Sequence, residues 1–212
     1  MIEHVLPGDI EKRSMEIIGE ELAAKGIALD PEQDPVIRRA IHTSADFDYA
    51  ETLTFSEGAV GKARDLIRAG ALIVTDTNMA LTGINKKRLA TFGGEVRCYM
   101  ADEDVACEAK ERGITRASVS IEHAARDTSE SGRPVIFAIG NAPTALITLR
   151  TMYDEGRFTP DFIIGVPVGF VNVVEAKELI LETDIPHIIN RGRKGGSNVA
   201  AAIVNALVYG MR

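Results

Sequence analysis

The segment RGRKGGSN, residues 191–198, sets Arg191, Arg193 and Lys194 among Gly192, Gly195 and Gly196. A guanidinium grips a carboxylate with two parallel hydrogen bonds, and glycines let backbone approach a ligand closely. That pairing points to a site for an organic anion, against the plainer reading of a solvated basic loop. The spacing G-x-x-x-x-G-K-[ST] is absent here, and G-x-G-x-x-G occurs nowhere, so neither a P-loop nor a dinucleotide cradle is present. A second anion site is expected in GNAPTALITLR, residues 140–150. Pro143 suits a first helical position, and the free amides around Asn141, Ala142 and Thr144 can take a carboxylate or phosphate. An ordinary tight turn weighs equally there. The stretch GVPVGFVNVVEAKE, residues 165–178, reads as a cavity wall around Gly169. Glu175 and Lys177 stand behind it, on different helix faces because they are two residues apart.

His42 sits in DPVIRRAIHTSAD, residues 34–46. At 3.6 residues per turn, Val36, Ile37, Ala40, Ile41 and Ser44 form one stripe. His42 falls roughly opposite, with Arg38 and Asp46 about a turn away on either side. A packed core histidine is therefore a poor explanation. A solvated surface histidine and a general acid or base both remain open at this point. Ser14 in EKRSMEII and Arg116 in GITRAS would pass, on their own, as an ordinary helix-face serine and a surface arginine. Metal chemistry finds no support: His4, His42, His123 and His187 are nowhere paired at i, i+3 or i, i+4, and Cys98 and Cys107 lie far from them in sequence. No nucleophile elbow of the form G-x-S-x-G occurs.

These groups need elements to hold them. GDIEKRSMEIIGEELAAKG reads as a helix with Ile10, Ile17, Ile18 and Leu22 on one side. DPVIRRAIHTSAD is a second, capped by Asp34 with Pro35 in its first turn. SEGAVGKARDLIRAG is a third, capped by Ser56 and closed by Gly70. From there, short Val- and Ile-rich runs alternate with helical stretches: ALIVTD, EVRCYM, PVIFAIG, DFIIGVP and HIINR. Alternation of this kind predicts βαβ units and a mostly parallel sheet. The expected fold is α/β: one three-layer αβα domain over residues 1–212, with N-terminal helices over about 8–70, a βα core over about 71–212 and roughly five strands. Unusual turns follow four of the strands, where open parallel sheets bind ligands.

The bulk figures agree. A chain of 212 residues that is 45% hydrophobic can bury one sizeable core. The net charge of −7 disfavours general nucleic-acid binding. Two cysteines make no disulfide framework. MIEHVLPGDIEKR has no apolar core of a signal peptide, and no run reaches a membrane span. A cytoplasmic protein with no membrane or nucleic-acid partner is expected.

Taken together, the motifs resemble the precorrin-8X methylmutases, including the cobalt-precorrin-8 enzymes of cobalamin biosynthesis. The resemblance runs over nearly the whole chain: EKRSMEII, IHTSAD, AGALIVTDTNMALTGI, GITRAS, AIGNAPTAL, GVPVGFVNVVEAKE and RGRKGGS. It implies a homodimeric α/β isomerase that needs no external cofactor. Such an enzyme moves a methyl group from C-11 to C-12 of a corrin precursor, giving hydrogenobyrinic acid or cobyrinic acid. It further implies that His42 is the catalytic acid and that Ser14 and Arg116 bind substrate. Arg191, Arg193, Lys194, Gly169 and the amides around Asn141, Ala142 and Thr144 would then meet the carboxylate-rich macrocycle. IHTSAD departs from the family's glycine-containing turn, and Asn172, Val173 and Ala176 stand where Gly, Ala and Ser are expected. Two rivals are a non-catalytic tetrapyrrole carrier and an unrelated phosphate-binding isomerase or transferase.

Overall fold

VIFAI and FIIG are apolar at every position, and both are buried throughout as central strands of one sheet. The computed structural model describes residues 4–211, so the outermost ends of the expected domain fall outside the described residues. The helices are α1 (Ile10–Ala24), α2 (Asp34–Ser44), α3 (Tyr49–Thr52), α4 (Ala59–Arg68), α5 (Asn78–Gly83), α6 (Lys86–Ala90), α7 (Glu103–Arg112), α8 (Arg116–Ser131), α9 (Pro143–Asp154), α10 (Val173–Leu181) and α11 (Ser197–Tyr209). The strands are β1 (Leu53–Phe55), β2 (Leu72–Thr75), β3 (Glu95–Arg97), β4 (Val135–Ile139), β5 (Phe162–Gly165) and β6 (His187–Asn190).

The sheet order is β1-β6-β5-β4-β2-β3. β1 is antiparallel to β6, and all the other pairs are parallel. The parallel part follows the 2-1-3-4-5 order of doubly wound sheets, with its switch point between β2 and β4. Alternate residues of the strands serve opposite layers. Ile136 and Ala138 join a core with α1, α2, α4 and α11. Val135, Phe137 and Ile139 join a second core with α7, α8, α9 and α10. The three-layer αβα fold is therefore as expected.

Several expectations are corrected in detail. Among the described residues the sheet has six strands where roughly five were expected, because Leu53–Phe55 extends it from within the nominally helical N-terminal part. Ser56 does not cap α4. Its hydroxyl accepts from the His187 amide (2.9 Å), continuing the β1–β6 pairing, and α4 starts after Gly58. Asp34 opens α2 without capping it and pairs with Arg38 (2.7 Å). On α1, Ile18 and Leu22 are buried while Ile10 and Ile17 face outward, because the helix lies at the surface and buries only a narrow stripe. The helix of the wall segment starts at Val173, leaving 168–172 as loop.

α11 is buried nearly all round, which its SNVAAAIVNALVY sequence allows. α2 packs along it. At the end of α2, Ala45 adopts a left-handed conformation (φ 54°) and donates its amide to the Ile41 carbonyl. Glycine takes this position without the Cβ clash. Ala45→Gly should raise stability by about 1 kcal/mol. In a chain of this size that is roughly 2–4 °C in a thermal melt. An unchanged or lower melting temperature would show that Ala45 is not strained.

Candidate active site

The carboxyl ends of β2, β4, β5 and β6 lead into the four turns singled out above, so all four share one edge of the sheet. Gly140, at the end of β4, has no room for a side chain: a Cβ there would stand 2.7 Å from the Ser197 Cα. Gly195 is equally constrained, since its Cβ would run into the Val166 carbonyl. These contacts draw the start of α11 against the ends of β4 and β5. The Thr77 and Ser197 hydroxyls bond at 2.8 Å and join the β2 turn to the same point.

Asp76 lies at the switch point. Its buried carboxylate accepts from the amides of Gly140 (2.9 Å), Asn141 (2.7 Å) and Ala142 (2.6 Å). Burial pushes its pKa above the usual carboxylate value, and the three amides pull it back only in part. The amides of Asn141 and Ala142, expected to hold a ligand's carboxylate, are therefore filled by the chain's own. That expectation is corrected: the turn is an anion site whose anion is internal. Asp76 itself had a sequence signal, an acid immediately after an apolar strand in LIVTD. Its partners lie 64 to 66 residues away, which no local pattern reveals.

The basic loop is also partly satisfied from within. Lys194 Nζ lies 2.6 Å from both Asp46 and Asp48, which hold its pKa well above the usual lysine value. Arg191 donates to Glu178 (3.2 Å). Both cations were expected to be open to an external anion, and in this structure each is paired. Arg193 is exposed, lies 5.4 Å from the Phe170 ring centroid, and pairs with no carboxylate among the described residues. Phe170 and its neighbour Val171 are 81% and 77% exposed. They form an apolar rim above Gly169, whose φ is 150°.

Lys177, already noted behind the wall segment, is a further cation of this edge. It is fully buried on α10, and its Nζ donates to the carbonyls of Gly192 (2.7 Å) and Lys194 (2.9 Å). Asn190 Nδ2 donates to the same Lys194 carbonyl (2.9 Å) and is itself tied to the Thr52 hydroxyl (2.8 Å).

His42 is exposed on α2, opposite the buried stripe, as the helical wheel predicts. It lines a cleft of about 360 Å³ between α1, α2, α5 and α11. Glu11 and Arg39 form one wall and pair at 2.6 Å, while Met79 and Ala202 give apolar surface. Asn198 Nδ2 reaches the Thr43 carbonyl at 3.5 Å, tying the end of α2 to the start of α11. Through Asp46 and Asp48, the same end of α2 meets Lys194. The histidine and the basic loop are thus linked through the chain that follows α2.

Ser14 and Arg116 are not among the residues lining the cleft. Ser14 is on α1, one turn beyond Glu11, and its hydroxyl bonds back to the Ile10 carbonyl (2.9 Å). Arg116 is the exposed first residue of α8. Thr115, which caps that helix, bonds the Thr144 hydroxyl at 2.8 Å and so holds Arg116 beside the β4 turn. Among the described residues no group of three or more His, Cys, Asp or Glu side chains could hold a metal ion. Among those residues no helix is long and apolar enough to cross a membrane.

The chemistry available is thus an exposed imidazole beside a cleft, an exposed guanidinium and an apolar rim on one sheet edge. The family profile described as precorrin-8X methylmutase matches residues 9–210. The cobalt-precorrin-8 methylmutase of Salmonella typhimurium is 44% identical over 209 residues, spanning 97% of this chain and 96% of that protein. The precorrin-8X methylmutase of Pseudomonas aeruginosa is 39% identical, spanning 98% of each. The crystal structure of precorrin-8x methyl mutase from Thermus thermophilus superposes with a TM-score of 0.84 at 39% identity, covering 94% of both chains.

Proposed function

The chain belongs to the precorrin-8X methylmutase family, and on that premise we propose that His42 protonates the macrocycle during the methyl shift. The protein is an isomerase of cobalamin biosynthesis. Its reaction moves a methyl group from C-11 to C-12 of precorrin-8X, or of its cobalt counterpart, to give hydrogenobyrinic or cobyrinic acid. Atoms balance within the one molecule, so no co-substrate enters. A proton delivered to a pyrrole-type nitrogen draws electron density through the conjugated ring, which lowers the barrier to migration. The observation that carries the assignment of His42 is its place: solvent-facing on a rigid helix, in a cleft with apolar surface beside it.

The remaining roles follow from charge and shape. Arg193 meets a peripheral carboxylate of the substrate, and Phe170 and Val171 cover an apolar face of the ring. Arg116 and Ser14 orient the substrate from the two flanks. Arg191 and Lys194 join in by releasing Glu178 and the Asp46–Asp48 pair. Asn141, Ala142 and Thr144 shape the floor, with Asp76 in place of a ligand carboxylate. The working unit is a homodimer of single-domain subunits in the cytoplasm.

The test is anaerobic incubation of the protein with precorrin-8X and, separately, with cobalt-precorrin-8, followed by absorption spectra and NMR of the product. Conversion of either substrate is expected. Binding without conversion would make the protein a tetrapyrrole carrier, and the absence of binding to either would remove the corrinoid reading.

A further inference from the structure

A fully buried ammonium normally faces a carboxylate, because an isolated buried charge is costly. Lys177 faces none among the described residues. Burial alone pushes its pKa down, to about 8. Glu175 of the same helix is two residues away and so on a different face, and the other carboxylates and cations on the helices around it are engaged elsewhere. Glu178 of α10 takes Arg191, Lys194 takes Asp46 and Asp48, and Arg150 of α9 takes Asp154 and Glu182. His187 of β6 is held toward neutrality by burial and bonds the Ile185 carbonyl. A methionine would fill the same space without the cost of desolvation. The lysine therefore does something that shape alone does not require.

What it touches says what that is. Its two acceptors are the carbonyls on either side of Arg193, in a loop where Gly192, Gly195 and Gly196 all hold positive φ. We propose that Lys177 is a positioning residue for the substrate: it grips the basic loop from beneath, turns Arg193 outward and adds its own uncompensated positive charge below the anion-binding edge. The inference rests on the reading that this loop receives carboxylates of the macrocycle. The charge acts through the protein interior, where it is less screened than a surface charge.

The experiment is a titration of hydrogenobyrinic acid, followed by absorbance, into the wild type, Lys177→Met and Lys177→Gln at pH 7 and pH 9.5, with thermal melts alongside. The ligand's carboxylates stay ionised over this range. The wild type should bind about tenfold more weakly at pH 9.5, as Lys177 loses its charge. Folded Lys177→Met should bind about tenfold more weakly already at pH 7 and show no further alkaline loss. In turnover, KM should rise far more than kcat falls. A folded variant that binds like the wild type at pH 7 would overturn the proposal, as would a wild type with no alkaline weakening, and this second arm needs no variant to fold. Wild-type protein that binds at neither pH would remove the functional reading and this inference together, a result distinct from a variant that matches a competent wild type.

Discussion

His42→Ala is expected to lower kcat by ~10²–10⁴-fold, the usual loss when a general acid is removed. That corresponds to roughly 3–5 kcal/mol of barrier. Affinity should change only a few-fold, because the macrocycle's carboxylates and apolar faces are met by other groups. The fold should not respond at all: His42 is exposed and its helix is held by Val36, Ile37, Ala40 and Ile41 on the other side. Single-turnover absorbance with saturating precorrin-8X, set beside a thermal melt, separates these quantities. A rate within tenfold of wild type would take His42 out of the proton transfer. A loss of binding at constant turnover of bound substrate would make it a substrate contact instead.

Asp76→Ala is expected to cost stability rather than chemistry, by about 3–5 kcal/mol, because three amide donors lose their shared carboxylate. In a melt this is a fall of roughly 10 °C. Formate at high concentration can enter the vacated nest of amides and should restore part of the loss. A purely steric defect would not respond to formate. The pH dependence has a definite sign. The folded carboxyl titrates above its unfolded value of 3.8. Between those two values the folded state holds the extra proton. The contribution of Asp76 is then full below pH 4 and declines as pH climbs through the folded pKa, so the gap between wild type and Asp76→Ala should narrow in that direction. Equal melting temperatures for the two proteins would show that solvent replaces the carboxylate without cost.

What could be read from sequence followed from how local the signal was. β4, β5 and α11 announce themselves, because a strand or helix buried on all sides must be apolar on all sides. The outward face of His42 was legible for the same reason: the stripe opposite it is continuous within one helix. β1 was not, because three residues at a sheet edge carry no period, and their partners lie about 135 residues on. The anion sites failed in a related way. Basic and amide-rich turns were visible one by one. The acids that occupy them, Asp76, Asp46, Asp48 and Glu178, are brought there by the fold from other parts of the chain. Sequence spacing located the donors but not their internal acceptors. For Lys177 the residue was noticed and its task was not, since its acceptors are main-chain carbonyls that no residue type reports.

The packing of α2 along α11 has a bearing on how the molecule comes into being. Residues 34–44, the helix bearing His42, leave the ribosome long before residues 197–209, the helix they rest against. β1 likewise waits for β6. During synthesis the early segment must stay unseated, its apolar stripe uncovered, until residues 197–209 have emerged. The reaction cleft is therefore completed only once α11 has been made. A polypeptide cut short before α11 has every candidate site residue through Lys194 and no cleft in which to use them.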